Sequence, residues 1–192
     1  MISSNEAREL AVQFLAKVPK RLSHTESVAT LAKKLAIHYH EDSEKALVAS
    51  YLHDITKYYS KERALFLLSK YYSKAEIKMW PIQTWHGLTA EIYAKEHLLV
   101  DDFDTLNAIK YHTVGRPKMS LLEKIIYVSD YAEELRTFET KDIRELAFHD
   151  LDLAVYKVLV HVKNHLDLTN EKVVGLSIDA IKYYQNRFNG GI

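Results

Sequence analysis

Three times in this 192-residue chain a serine stands three residues ahead of a glutamate at the head of an apolar-periodic run: Ser3/Glu6, Ser73/Glu76 and Ser120/Glu123. At that spacing the serine hydroxyl accepts from the backbone N–H three residues on, and the carboxylate accepts from the serine's own N–H. Two of the donors that a helix leaves unsatisfied at its start are thereby satisfied. Little interrupts the segments that follow. The chain has 5 glycines and 3 prolines, and they fall between the periodic segments, with breaks or ends at Trp80-Pro81, Gly115-Arg116-Pro117 and Gly190-Gly191. No stretch alternates apolar and polar residues between turns as a half-buried strand would, and no internal repeat is present. The pattern predicts an all-α chain with short connections. Its helices are expected near 4–18, 22–39, 43–54, 60–71, 74–79, 87–98, 102–112, 120–136, 142–165 and 171–186.

One of these helices ends oddly. The run that should bury Leu47, Val48 and Leu52 finishes with His53-Asp54 in "YLHDITKYY". A histidine suits a helix C-terminus, where positive charge complements the dipole, but an aspartate there faces like charge. Asp54 needs another partner, and other helices supply candidates. Stepping back four from Val28 on the Val28-Leu31-Leu35 stripe lands on His24. Leu106 and Ile109 lead by threes to His112, and Leu122 and Ile126 lead by fours to Asp130. A lone inward histidine is more often a hydrogen-bonded core residue, and a lone inward aspartate is often a cap or an arginine's partner. Four helices each carrying a metal-competent residue inward favour a shared cation, because a buried carboxylate is costly unless paired or metal-bound. His86 opens a helix after Trp85 and reads equally as a cap. His38, His40, His97, His149, His161 and His165 read as surface or packing residues.

Composition narrows the chemistry. Lys+Arg and Asp+Glu are both 26, a formal net charge of zero, which argues against bulk nucleic-acid binding. With no cysteine, thiolate nucleophiles, disulfides and cysteine-ligated zinc or iron–sulfur sites are excluded. The N-terminal "MISSNEAREL" lacks the apolar core of a signal peptide, and no run approaches a membrane span, so a cytoplasmic location is expected. Gly-x-Ser-x-Gly, Walker A, Gly-x-Gly-x-x-Gly and His-Glu-x-x-His signatures are all absent. Imidazole and carboxylate without sulfur suit a borderline first-row metal such as iron, manganese or zinc. Cations stand beside the candidate ligands: Arg21 one turn before His24, Lys57 three after Asp54, Arg136 six after Asp130. Any one alone would read as a solvated surface residue; so placed, they read as phosphate clamps.

The order of a His, an adjacent His-Asp 29 residues later (53 − 24) and a distant Asp130 resembles the HD-domain metal-dependent phosphohydrolases. "RLSHTESV", "LHDITK", "WHG" and "AIKYHTVGRPKMSLLEKIIYVSDYAEELR" resemble more narrowly the YqeK family of symmetrical diadenosine tetraphosphate hydrolases, over essentially residues 15–160. In "DYAEELR" the chain departs from that family, which leads one to expect an aliphatic residue and a proline around Glu133. The resemblance implies a single HD domain over 1–192, with a metal-site core at about 20–136 and C-terminal helices at about 142–186 packed on it. It implies one ion on His24, His53, Asp54 and Asp130, and a second on Asp54, His86 and His112, with Asp54 bridging. Iron is the implied metal, as one or two ions. Asp54, His86 and His112 are implied as catalytic. Arg21, His24, Lys57, His86, His112, Thr113, Gly115 and Arg136 are implied to contact substrate, Thr113 and Gly115 through backbone N–H groups of the "HTVG" turn.

The expected activity is cleavage of diadenosine tetraphosphate into two ADP, with ADP or GDP as product ligand. No nucleic acid or membrane partner is expected, and a homodimer is left open. Two readings stand beside it: another nucleotide phosphohydrolase of the superfamily, acting on mononucleotides or guanosine tetraphosphate, and a metal-stabilised nucleotide sensor without turnover.

Overall fold

The computed structural model describes residues 2–189; the expected end at Gly190-Gly191 lies outside them. Eleven helices follow one another among these residues: α1 (Ser4–Leu15), α2 (Pro19–His38), α3 (Ser43–Leu52), α4 (Lys61–Leu68), α5 (Lys74–Met79), α6 (Trp85–His97), α7 (Phe103–Tyr111), α8 (Leu121–Ala132), α9 (Lys141–Ala147), α10 (Leu151–Leu168) and α11 (Gly175–Asn189). A single 3-10 turn, Ile82–Thr84, leads into α6. No strand occurs among the described residues.

The serine–glutamate pairs act as the sequence implies at two of three starts. Ser3/Glu6 and Ser73/Glu76 close reciprocal capping boxes. At α8 the Ser120 hydroxyl accepts from the Glu123 N–H, but the Glu123 carboxylate turns to Arg116, 2.8 Å from Nε. Glu123 is buried, and this ion pair fastens the Gly115-Arg116-Pro117 turn onto the first turn of α8.

Where helix ends differ from the periodic reading, local chemistry explains it. α2 starts three residues early because Pro19 sits in its first turn, where its missing N–H costs nothing and its φ is already helical. α8 stops at Ala132 because Glu133 adopts an extended conformation, φ −60° and ψ 159°. The helix expected over 142–165 is two helices. Asp150 breaks it by accepting from the Leu153 N–H at 2.9 Å and so capping a new start.

α2, α3, α7 and α8 pack on one another around Leu35, Leu52, Ile109, Leu122 and Ile126, all fully buried. Each such side chain contributes about 1.5–3 kcal/mol relative to exposure. The same apolar cluster runs on through Val155 of α10 to Ala180 and Tyr184 of α11. α6 lies against α7, and a smaller cluster of Leu68, Ile77, Leu88 and Ile92 fixes α4 and α5 to it. Gly87 permits that approach: a Cβ there would stand 2.7 Å from the Lys110 carbonyl oxygen. Backbone cannot yield as a side chain can, so Gly87→Ala should push α6 off α7 and cost about 1–3 kcal/mol. Chemical denaturation of the variant checks this; unchanged stability would show that the approach is slack.

Candidate metal centre

The four core helices and α6 deliver their inward polar residues to one place. His24 comes from the second turn of α2, His53 and His112 cap the C-termini of α3 and α7, His86 is the second residue of α6, and Asp130 lies near the end of α8. His24, His53, His86, His112 and Asp54 are all buried, while the six histidines set aside in the sequence are exposed. The candidate ligand atoms of His24, His53 and Asp130 lie within 4.8 Å of one another, as do those of His53, Asp54 and His112. His53 is thus common to both tight groups. Asp54 still spans the two sides: its Oδ2 is 3.5 Å from His53 Nε2, and its Oδ1 is 3.1 Å from His86 Nε2 and 3.7 Å from His112 Nε2.

Three imidazoles have their outer nitrogen committed elsewhere. His53 Nδ1 donates to the Ser50 carbonyl at 2.5 Å and His112 Nδ1 to the Ile109 carbonyl at 2.7 Å. His24 Nδ1 donates to Glu133 Oε1 at 3.0 Å. A neutral ring that donates from Nδ1 carries a bare lone pair on Nε2, so all three aim a ligand atom at the shared space. His24 Nε2, His53 Nε2 and Asp54 Oδ1 are buried without an aligned hydrogen bond, although His24 Nε2 is 3.0 Å from Asp130 Oδ1. Close approach without hydrogen-bond alignment is what atoms converging on a cation show. The donor set of nitrogen and oxygen fits a first-row transition ion.

Burial alone would raise both carboxyls, but the surrounding imidazoles outweigh it. In the metal-free protein, His53 and His112 with a proton turned toward Asp54, and His24 and His53 toward Asp130, hold both carboxyls well below the usual range; a bound ion would take the place of those protons. His86 moves the other way: burial pulls it down to about 4, with Asp54 only partly offsetting this. It is therefore neutral near pH 7, and Lys57 Nζ donates to its Nε2 at 3.0 Å.

The three cations expected as phosphate clamps lie against the carboxylates. Arg21 Nη1 donates to Asp54 Oδ2 at 2.8 Å and Arg136 Nη2 to Asp130 Oδ1 at 3.0 Å, while Lys57 Nζ is 3.8 Å from Asp54 Oδ1. Thr113 keeps a buried hydroxyl without a partner. Gly115 differs: its amide donates to the Tyr111 carbonyl at 2.8 Å, so that N–H is not free to meet a phosphate. Its φ of +63° instead serves the turn, where a Cβ would stand 3.1 Å from Leu159.

The family model described as HD domain matches residues 21–135. The chain belongs to the HD-domain family. Among relatives, a Bacillus subtilis (strain 168) protein named bis(5'-nucleosyl)-tetraphosphatase, symmetrical, is 36% identical over 154 residues, covering 80% of this chain and 83% of that protein. A Staphylococcus aureus protein of the same name is 31% identical over 182 residues, 93% of each chain. The crystal structure of a Clostridium acetobutylicum protein described as a predicted HD superfamily hydrolase involved in NAD metabolism superposes with a TM-score of 0.88 at 34% identity. It covers 97% of this chain and 99% of the other.

Sequence periodicity missed one member of this HD centre. Glu133 is buried, accepts from His24 Nδ1 and, through Oε2, from the Leu135 N–H at 2.5 Å. The extended backbone that ends α8 is what brings it under His24. Its signal was present as the departure in "DYAEELR", where the helix was expected to run on.

Two measurements test the centre. Asp54→Ala should empty it of metal in elemental analysis, whereas Glu133→Ala should keep the ligands and weaken metal affinity about 10- to 100-fold in chelator competition. Full metal content in Asp54→Ala would remove it as a shared ligand. The second uses metal-free protein. An unfolded His86 takes up its proton near 6.5 and the folded one only near 4, so the unfolded state binds more protons between them. Stability should therefore fall as pH drops through that window, and His86→Gln should flatten the slope by up to one proton in pH-dependent denaturation.

Proposed function

We propose that the chain is a metal-dependent hydrolase that cleaves diadenosine tetraphosphate symmetrically into two ADP. The single observation that carries this is the convergence of imidazole nitrogens and two carboxylates beside three cations, in a chain whose relatives bear that activity in their names. The ligands would be those implied above, His24, His53, Asp54 and Asp130 on one side and Asp54, His86 and His112 on the other. Iron is the metal we favour. Ions held there would supply Lewis acidity toward a phosphoryl oxygen and an activated water.

The chain's own residues do the rest. Lys57, set between Asp54 Oδ1 and His86 Nε2, presents a point charge to the bond that breaks. Arg21 and Arg136 each retain further N–H donors after binding their carboxylates, and planar guanidinium donors match phosphate oxygens in pairs. As charge develops on the leaving diphosphate, these preplaced cations stabilise it without reorganising. His86, neutral near pH 7, adds no positive charge that would repel a ligand cation.

The cavity that Thr113 lines is our candidate for one nucleoside. It has a volume of about 260 Å³ and is lined by Thr113, Val114, Tyr127, Leu159, Val162 and Val174. That lies near the lower end of ligand-pocket volumes, about 300 Å³. Its walls are mainly apolar, and the unpartnered Thr113 hydroxyl offers a polar contact. Among the described residues no helix is long and apolar enough to cross a membrane; we place the action on free nucleotide in the cytoplasm.

Turnover of diadenosine tetraphosphate in heavy-oxygen water decides the reaction. Two ADP are expected, one carrying a single heavy oxygen by mass spectrometry, and elemental analysis of purified protein should find iron. ATP plus AMP would overturn the symmetrical assignment. Tight ADP binding with a full metal complement and no turnover would favour the sensor.

A further inference from the structure

Each arginine at the mouth of the centre has an aromatic side chain beyond it that the hydrolysis above leaves unused. Arg21, held on Asp54, has the Tyr58 hydroxyl beside its guanidinium. Arg136, held on Asp130, lies 5.9 Å from the Phe138 ring centroid. Tyr58 follows the His53-Asp54 turn and Phe138 lies between α8 and α9, so they reach the same place from different parts of the fold. They are 56% and 46% exposed, yet both line one cavity of about 440 Å³ together with His24, Lys20, Arg21 and Arg136.

Two half-exposed aromatic side chains flanking a cationic mouth have an ordinary alternative, which is packing. Phe138 does pack edge-on against Tyr131 at 5.3 Å, and that contact fixes its ring while leaving nearly half its surface open. Tyr58 is more open still. The cavity on the His86 side offers a useful contrast. Its aromatic Tyr59 is already covered by the Arg63 guanidinium, 3.7 Å above the ring. An open aromatic face next to arginines is what a nucleobase with its phosphates needs, since every base has a π-face to stack and arginine suits phosphate.

The substrate's own symmetry sharpens this. A dinucleoside tetraphosphate cut at its centre carries a nucleoside at equal reach on either side of the scissile bond. One has the cavity on the His112 side; the other must leave the centre elsewhere, and this cavity opens on the side of His24 and Arg136. We infer that it holds the second nucleoside of the substrate, its base against Tyr58 and Phe138 and its phosphates on Arg21 and Arg136. The inference rests on the proposed hydrolysis. It adds a subsite that senses whether the far end of the tetraphosphate bears a nucleoside. Aromatic stacking there makes it tolerant of which base arrives.

Adenosine 5'-tetraphosphate has the same phosphate chain and no second nucleoside, so the two substrates isolate the subsite. In the Tyr58→Ala/Phe138→Ala double variant, the ratio of kcat/KM for diadenosine tetraphosphate over that for adenosine tetraphosphate should fall about tenfold or more. Tyr58→Phe and Phe138→Tyr should restore it, since each keeps a stacking face. An unchanged ratio, whether both substrates lose equally or neither does, overturns the subsite. If the wild type cleaves neither compound, the proposed hydrolysis fails, and titration calorimetry with the same two nucleotides then tests the subsite. A selective loss of diadenosine tetraphosphate affinity in the double variant supports it, and equal affinities overturn it.

Discussion

Asp54 is a carboxylate that the fold buries and then has to compensate. Its side chain is 2% exposed, and it is held by Arg21 on one oxygen and approached by His86 and His112 on the other. Around it the helices are arranged by what each contributes. α3 ends so that His53 and Asp54 fall in successive positions, α7 ends so that His112 faces them, and α6 comes close enough to α7, through Gly87, for His86 Nε2 to lie 3.1 Å from His112 Nε2. Buried charge of this kind contributes little to stability by itself and costs much when unpaired. Its place in the core is therefore better explained by function than by folding.

The histidine at the end of an apolar helix follows from helix-end chemistry. The last carbonyls of a helix have no intrahelical donor. In α3 and α7 one of them, Ser50 O and Ile109 O, accepts from the Nδ1–H of a histidine three residues on. Each bond satisfies an orphan acceptor, fixes the tautomer and turns Nε2 inward. A helix terminus thus does for two imidazoles what Glu133 does for His24.

Much of this was legible in the residues themselves. The all-α reading followed from caps and from the scarcity of breakers. His24, His112 and Asp130 could be placed because each sits a helical step from aliphatic residues on one stripe, and the cost of burying Asp54 and Asp130 joined them to His53-Asp54 through a shared cation. What was hidden depended on tertiary contacts that leave no period. Glu133 acts from an extended residue, where helical spacing says nothing. Glu123 abandons its capping box because Arg116 happens to lie within reach. The break at Asp150 was readable in principle as a cap, but Ile143, Ala147, Leu151 and Ala154 stay in helical phase across it, and the stripe concealed it. Gly115 looked free as a phosphate donor until the turn used its amide.

Charge balance shows why a chain of zero net charge can still recognise a polyanion. Asp54, Asp130 and Glu133 are three buried or half-buried carboxylates, and Arg21, Lys57 and Arg136 are three cations set against them. Three minus three leaves the centre neutral, so its own residues offer a tetraphosphate no surplus attraction. Every divalent ion entering among the imidazoles adds two positive charges, and these are only weakly screened at a site largely closed to solvent. The carboxylates that hold the cation are also the partners that restrain the arginines. A cation held there would share these carboxylates with Arg21 and Arg136, which keep further N–H donors for phosphate. On this account a bound cation would supply the attraction that the balanced charges of the centre lack, at the one place where a polyphosphate can be cut.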